Sequence, residues 1–99
     1  MTDIPRLSNK EYLVMELLVS GEMYGLEMVK ESEGKLKRGT IYVTLNRMAE
    51  KGYLEFRVEE ETTHSGIRRR LYRATAYGTQ VYNVFVSLKA AKALKPVII

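Results

Sequence analysis

The sequence contains no cysteine and no tryptophan, and only one histidine and two prolines among its 99 residues. The absence of cysteine excludes disulfides, thiolate metal sites and cysteine nucleophiles. No apolar run approaches the ~20 residues of a membrane span, and no signal peptide opens the chain. Hydrophobic residues make up 45% and charged residues 28%, which is typical of a globular domain and not of a disordered segment. We therefore expect one small cytoplasmic protein with a single modest core.

Acidic residues are absent from two long stretches, 34–49 and 62–99. The first contains the basic residues Lys35, Lys37, Arg38 and Arg47, and the second contains Arg68, Arg69, Arg70, Arg73, Lys89, Lys92 and Lys95. All 12 acidic residues lie in the rest of the chain, so the net charge of +4 conceals a strong segregation of charge. Such segregation predicts a face that meets a polyanion; chance clustering on solvated surfaces is the alternative.

Little in the sequence suits catalysis or metal binding. There is no glycine-rich phosphate loop and no nucleophile motif. The single histidine, His64, stands in a polar stretch, where a solvated loop residue is its expected role. Glu59, Glu60 and Glu61 could chelate a cation, but such a run is usually a solvated turn. We therefore expect no enzyme activity, no cofactor and no metal site.

Two helices are predicted in the first third of the chain. Ser8 and Glu11 have the spacing of a capping box, which begins the first helix, and Gly21 stands where that helix should end. A second, shorter helical pattern runs over residues 23–34. Gly25 is costly inside a helix, so it is expected near the helix start or at a close approach between helices.

A third helix is predicted from about Arg38 to Lys51. Ile41, Leu45 and Met48 fall on one stripe, which is assigned to the core. Small polar residues and Arg47 are then expected on the outward side.

The pattern changes from helical to alternating after the third helix. Residues 53–58 and 69–75 alternate with a period of two, which predicts two strands, and the polar residues 59–66 between them are predicted to form a long hairpin loop. A final helix is predicted to start near Thr75. Its apolar stripe passes through Val81, Val84, Phe85 and Leu88.

The predicted order is that of a winged helix-turn-helix, an α+β fold that is mostly α: three helices, a strand, a hairpin loop, a second strand and a final helix. The second helix of such a unit enters the DNA major groove, and the hairpin forms the wing. Both acid-free stretches fall on these parts. DNA contacts are expected from Lys37, Arg38, Thr40, Thr44, Arg47, Arg68, Arg69 and Arg70. Residues 1–78 would form the DNA-binding domain, and residues 79–99 a dimerisation helix and tail.

Several of these assignments have alternatives. Arg47 could instead pair with Glu50 or Glu55. Tyr42 could be a core residue or could offer its hydroxyl group to a phosphate. The three wing arginines alternate sides of a strand, so one of them could pack its stem inward. Asn46, like Arg47, has a side chain capable of a bidentate base contact.

Several segments resemble the PadR family of bacterial transcriptional regulators. They are residues 10–18, 23–27, 39–42, 52–54 and 70–78, together with Leu45 and Met48, and the resemblance covers roughly residues 7–78. The most specific motifs are Gly-Thr-x-Tyr at residues 39–42 and Tyr-Arg-x-Thr-x-x-Gly at residues 72–78. The resemblance implies a winged helix, dimerisation and operator binding, usually with repression. It also implies that Thr40, Tyr42 and the wing arginines contact DNA.

The sequence departs from that family in two places. Lys37 and Arg38 stand where many members have Ser-Pro or Thr-Pro, which removes a helix cap and adds positive charge. Only one helix of about 15 to 18 residues fits after Gly78. The multi-helix C-terminal domain of longer members, which can hold an effector, is therefore not expected.

The apolar stripe of the last helix needs to be covered. We predict an isologous homodimer with Val81, Val84, Phe85 and Leu88 at its interface; closure of the monomer core is the alternative. Three lysines, Lys89, Lys92 and Lys95, would suit a helix on a membrane surface, but alanines weaken the stripe there.

The sequence is also compatible with other functions. A small-molecule effector could bind among Tyr12, Tyr77 and Tyr82, although core packing is their expected use. The rivals to operator binding are a winged-helix protein-interaction module and a nonspecific nucleic-acid binder.

Overall fold

The structure, a computed structural model, describes residues 5–60 and 68–93, apart from the side chains of Glu60, Arg68 and Ala93. It contains α1 (Asn9–Leu18), β1 (Met23–Tyr24), α2 (Gly25–Glu31), α3 (Ile41–Glu50), β2 (Leu54–Glu60), β3 (Arg68–Ala74) and α4 (Ala76–Ala93). The three strands form an antiparallel sheet in the order β1-β3-β2.

Side-chain caps begin the first and last helices at the positions that the sequence predicts. The Ser8 hydroxyl accepts the Glu11 amide at 3.1 Å, and the Glu11 carboxylate accepts the Ser8 amide at 2.8 Å. The Thr75 hydroxyl accepts the Gly78 amide at 2.9 Å and donates to the Gly52 carbonyl at 2.6 Å. Each cap satisfies amides that have no partner within the helix. The predicted domain boundary after Gly78 falls inside α4.

The second helix is shorter than predicted, because its first two residues form a strand. Met23 and Tyr24 pair with Tyr72 and Leu71 of β3, so α2 begins only at Gly25. It ends at Glu31 and not at Gly34. The Ser32 hydroxyl then accepts the Leu36 amide at 2.9 Å, which turns the chain toward α3.

Helix α3 begins at Ile41, three residues after the predicted start. The Lys37 carbonyl accepts the amides of both Thr40 and Ile41, at 3.2 and 2.9 Å, so a turn precedes the helix. The predicted stripe of Ile41, Leu45 and Met48 is buried. It joins a core made of α1, α2, the sheet and one side of α4: Val14, Met15, Leu18, Met28, Leu36, Tyr53, Leu54, Tyr72 and Val81.

The two wing strands pair in the predicted antiparallel way, from Leu54 opposite Ala74 to Glu60 opposite Arg68. Strand β2 extends through Glu60, so it includes two residues that the sequence assigned to the loop. The rest of the predicted loop, with His64, lies outside the described residues.

The start of α4 packs closely against the connection between α3 and β2. A Cβ atom at Gly78 would lie 2.1 Å from the Tyr53 carbonyl oxygen, so only glycine permits this approach. The structure confirms a mostly helical winged helix-turn-helix, in which α2 and α3 are the helix pair and β2–β3 is the wing. Within residues 5–60 and 68–93, no helix is both long and apolar enough to cross a membrane.

Candidate nucleic-acid interface

The exposed face of α3 is the centre of the candidate site. Val43, Asn46, Arg47 and Glu50 are all exposed, and their spacing of three and four residues puts them on one face opposite the buried stripe. Val43 is 58% exposed. This face therefore presents an apolar group, an amide, a cation and a carboxylate to solvent along about two turns of helix.

Three basic residues of this region have exposed side chains without carboxylate partners. Lys37 and Arg38 lie in the turn before α3, and Arg47 lies in its last turn. None of the three forms an ion pair with any residue that the structure describes. Because Glu55 pairs with Arg73, the alternative of an Arg47–Glu55 pair is not formed here.

The polar residues at the start of α3 differ in their availability. Thr40 is exposed and caps the helix without a side-chain hydrogen bond. The Thr44 hydroxyl lies 3.4 Å from the Thr40 carbonyl, to which it donates. Tyr42 is 43% exposed and is not a core residue. Its ring lies across Gly25, where a Cβ atom would be 2.8 Å from ring atom Cε1, so the missing side chain of Gly25 gives the ring its place against α2.

The wing arginines lie on opposite faces of the sheet, because side chains alternate along β3. Arg70 is on the face of Phe56 and Tyr72, beside α3, where its guanidinium is 3.3 Å from Asn46 Oδ1. Arg69 is on the other face, 5.6 Å from the centre of the Tyr24 ring. Arg68 pairs with Glu60 in the strand register, but its side chain lies outside the described part.

Arg70 connects the wing to the third helix. Its guanidinium stacks 4.6 Å from the centre of the Phe56 ring, and Phe56 packs at 5.5 Å against the fully buried Tyr72. The Nη1 group donates to the amide oxygen of Asn46. A guanidinium has five N–H donors, so Arg70 retains donors for a phosphate.

The face of the sheet that points away from α3, called the outer face below, carries paired charges. Arg57 contacts Glu22 at 3.2 Å and Glu59 at 2.7 Å, and Arg73 contacts Glu55 at 2.7 Å. The Tyr24 hydroxyl donates to the Glu59 carboxylate. This hydrogen bond lowers the pKa of Glu59 below its usual value, and the Arg57 guanidinium lowers it further. The same hydrogen bond raises the pKa of Tyr24. Two of the arginines on this face are therefore neutralised by neighbouring carboxylates.

The proposed dimer residues divide between core and surface. Val84 and Leu88 are 56% and 51% exposed, and Phe85 is half-buried. With Pro5, they line a shallow groove of about 280 Å³ that is almost entirely apolar. Val81 is only 6% exposed and packs in the monomer core, so it offers a second copy little surface.

The three tyrosines considered for an effector pocket do not meet at one place. Tyr12 packs against Tyr82 at 5.2 Å between ring centres, and Lys89 lies 3.8 Å from the centre of the Tyr12 ring. Tyr77 packs elsewhere, 5.6 Å from Tyr53. Burial, with the neighbouring Tyr12 and Glu16, raises the pKa of Tyr82. Lys92 is exposed at the end of α4, and Lys95 lies outside the described residues.

Three residues of the α3 face, Val43, Asn46 and Glu50, are not among the predicted DNA contacts. The predicted contacts are all polar or basic, so they include neither the apolar Val43 nor the acidic Glu50. Asn46 was recognised as a base-reading type, but its placement beside Arg70 depends on strand β3, which is distant in sequence. The helical spacing alone would have identified these residues, because they lie on the side of α3 opposite the buried stripe.

A family profile and a similar solved structure name the same family. The profile of the PadR-like family of transcriptional regulators matches residues 14–85. A PadR family transcription regulator from Clostridium difficile R20291 is similar in structure, with a TM-score of 0.64 and 26% identity over 85% of this chain and 96% of that chain. A transcriptional regulator from Clostridium thermocellum gives a TM-score of 0.67 and 26% identity over 82% of each chain.

A third similar structure is that of Bacillus subtilis PadR in complex with operator DNA, with a TM-score of 0.66 and 23% identity. The match covers 89% of this chain but 48% of that one. At this identity the likeness shows the fold alone. A search of curated proteins gives no match.

Proposed function

The chain belongs to the PadR-like family of transcriptional regulators, and we propose that it binds a specific double-stranded DNA operator as a homodimer and represses transcription there. The observation that carries this proposal is the α3 face. Arg47 on this face, and Lys37 and Arg38 in the turn before it, have no carboxylate partner among the described residues. Arg57 and Arg73 on the outer face of the sheet do have such partners.

Each part of the surface suits one kind of DNA contact. Helix α3 fits the major groove, with Lys37 and Arg38 at its entrance beside the phosphates. Thr40, Tyr42 and Thr44 have hydroxyl groups suited to phosphate contacts. Arg47 is suited to a guanine edge. The wing contributes Arg70 on the α3 side, with Arg68 and Arg69 further along the strand.

A protein of this fold, Bacillus subtilis PadR, has been solved in complex with operator DNA. A shared fold alone does not assign a ligand. Here the assignment rests on the unpaired cations, which a protein-interaction module would not need.

The homodimer follows from the uncovered apolar groove on α4. A two-fold axis along this helix would bury Val84, Phe85 and Leu88 against their own copies. Two α3 helices would then face half-sites about 34–36 Å apart, or a multiple of that distance. The effect of Leu88→Glu on sedimentation equilibrium tests this arrangement, because a buried charge should dissociate the dimer. Ala90→Glu, on the opposite side of the same helix, is the matched control and should leave the dimer intact.

Operator binding is tested with duplexes from the promoter that precedes the gene. We expect an inverted repeat there to be protected by the purified protein, with log K falling steeply with log salt as phosphate-bound counterions are released. Preference for the repeat over random duplex by less than about tenfold would contradict operator binding, because specific ratios are typically far larger. Binding with a steep salt slope but no preference would indicate the nonspecific nucleic-acid binder instead.

A further inference from the structure

We infer that Asn46 reads a hydrogen-bond acceptor on a base edge and that Arg70 of the wing positions it to do so. The inference rests on the proposed function and deepens it, because it assigns a specificity-determining residue within the α3 face. It starts from one contact, the hydrogen bond of 3.3 Å from Arg70 Nη1 to Asn46 Oδ1.

Asn46 is placed where a base-reading residue would be. It is exposed in the middle of α3, one turn after Val43, on the side opposite the buried stripe. Asparagine is one of the side chains that recognise bases in the major groove. Of the described residues, only Arg70 makes a side-chain hydrogen bond with it.

The chemistry of Arg70 decides which way the amide of Asn46 points. A guanidinium donates hydrogen bonds and accepts none, so the group that faces it must be the amide oxygen. The NH₂ group of Asn46 is then directed away from Arg70 with both of its donors unused. The orientation of this amide is therefore set by its partner.

A fixed orientation changes what Asn46 can recognise. A free asparagine reads adenine with both groups, accepting from N6 and donating to N7. Here Arg70 takes one lone pair of the oxygen, and the NH₂ group is the part directed toward a base. Two donors fit best the base edges that present only acceptors in the major groove, which are guanine N7 and O6 and thymine O4, because adenine N7 has the N6 amino donor beside it.

The packing of Arg70 explains why it can act as a positioning residue. Its guanidinium carbon Cζ lies 4.6 Å from the ring centre of Phe56, which itself packs against buried Tyr72. This stack extends from the core to the α3 face and restricts the guanidinium before DNA arrives. A lysine would keep the charge but would lose the planar donor fork and most of the stacking.

Selection from randomised duplexes tests the inference. The wild-type protein should select a motif with guanine or thymine at one position that Asn46→Ala relaxes, by roughly fivefold or more in relative affinity. Asn46→Asp keeps a partner for Arg70 but replaces the donor by an acceptor, so it should move the preference at that position toward cytosine or adenine, which present amino groups.

Arg70→Lys separates positioning from simple phosphate contact. Lysine retains the charge that a phosphate needs, so a phosphate-only role for Arg70 leaves the selected motif unchanged. A positioning role predicts that Arg70→Lys relaxes the same position as Asn46→Ala. Arg73→Lys is the matched control, because Arg73 lies on the opposite sheet face and is paired with Glu55; its motif should equal that of the wild type.

The outcomes distinguish the inference from the proposed function. If the wild type selects no motif, both are wrong. If the wild type selects a motif and Asn46→Ala leaves every position of it unchanged, this inference is wrong and operator binding stands. The same conclusion follows if Asn46→Ala relaxes one position and Arg70→Lys leaves that position unchanged.

Discussion

The arginines on the two faces of the β2–β3 wing differ in the groups that they contact. On the outer face, Arg57 and Arg73 contact carboxylates at 2.7 Å. On the face beside α3, Arg70 contacts an amide and an aromatic ring. A count of basic residues treats the three alike. The difference shows that the position of the acids, more than that of the bases, marks the surface available to a polyanion.

The comparison extends to the ends of α3. Lys37 and Arg38, before the helix, have no ion pair with any described residue, whereas Lys51, at its C-terminal end, lies 2.9 Å from the Glu11 carboxylate. Glu11 is buried whereas Lys51 is partly exposed, so this pair ties the C-terminal end of α3 to α1 at the edge of the core. Among the described residues, the basic side chains before α3 have no carboxylate partner, whereas the lysine at its end contributes to the packing of α3 on α1.

The largest effect should come from removing equal charge from the two regions. Lys37→Ala/Arg38→Ala should weaken operator binding by about tenfold or more and lower the salt slope by about 2, since both residues are assigned to phosphates and each phosphate contact contributes about 0.9. Arg57→Ala/Arg73→Ala removes the same charge from the outer face and should change affinity by less than about threefold. Fluorescence anisotropy across a salt series measures both. Equal losses would show that only net charge matters and would remove the distinction between the faces.

The next effect concerns the pair of Lys51 with the buried Glu11. Glu11→Gln keeps an acceptor for the Ser8 amide but loses the charge that Lys51 contacts, so it should lower the free energy of unfolding by about 1–2 kcal/mol. Glu16→Gln, an exposed position of the same helix, should change it by less than about 0.5 kcal/mol. Urea unfolding at one fixed protein concentration measures both variants. Similar losses in the two variants would mean that Glu11 acts only through helix charge.

The pH dependence of stability sharpens the same point. Burial alone would raise the pKa of Glu11, but the Ser8 amide and Lys51 outweigh it, so the pKa is lowered from 4.5. A lowered pKa gives stability that is present above the unfolded value and is lost as the pH falls through the folded value. The difference between wild type and Glu11→Gln should therefore be constant near neutrality and shrink below about pH 4.5. A difference that grows toward low pH would contradict this sign.

Local signals in the sequence were sufficient for most of the fold. The Ser8 and Glu11 capping box, the stripe of Ile41, Leu45 and Met48, and the alternation in the wing depend only on neighbouring residues, and the structure confirms them. Strand β1 was missed because two residues carry no period of their own. Met23 and Tyr24 become a strand only through their pairing with β3, almost 50 residues later.

The candidate site shows the same limit. Helical spacing placed Arg47 on the outward side, as found. Which wing arginine faces α3 depends on strand register, and an error of one residue exchanges Arg69 with Arg70. Carboxylate partners such as Glu22 for Arg57 also come from distant segments. Sequence therefore located the basic regions, while pairing across the chain decided which cations remain available.

The smallest effect should be the contribution of the outer ion pairs to stability. Both partners of Arg73–Glu55 are at least half exposed, so solvent screens them and side-chain entropy opposes their contact. A double-mutant cycle with Arg73→Ala and Glu55→Ala should give a coupling below about 0.5 kcal/mol. A coupling above about 1 kcal/mol would mean that the outer pairs help to hold the wing in place. Their loss would then weaken DNA binding indirectly, and the contrast between the two faces would no longer separate a binding surface from a structural one.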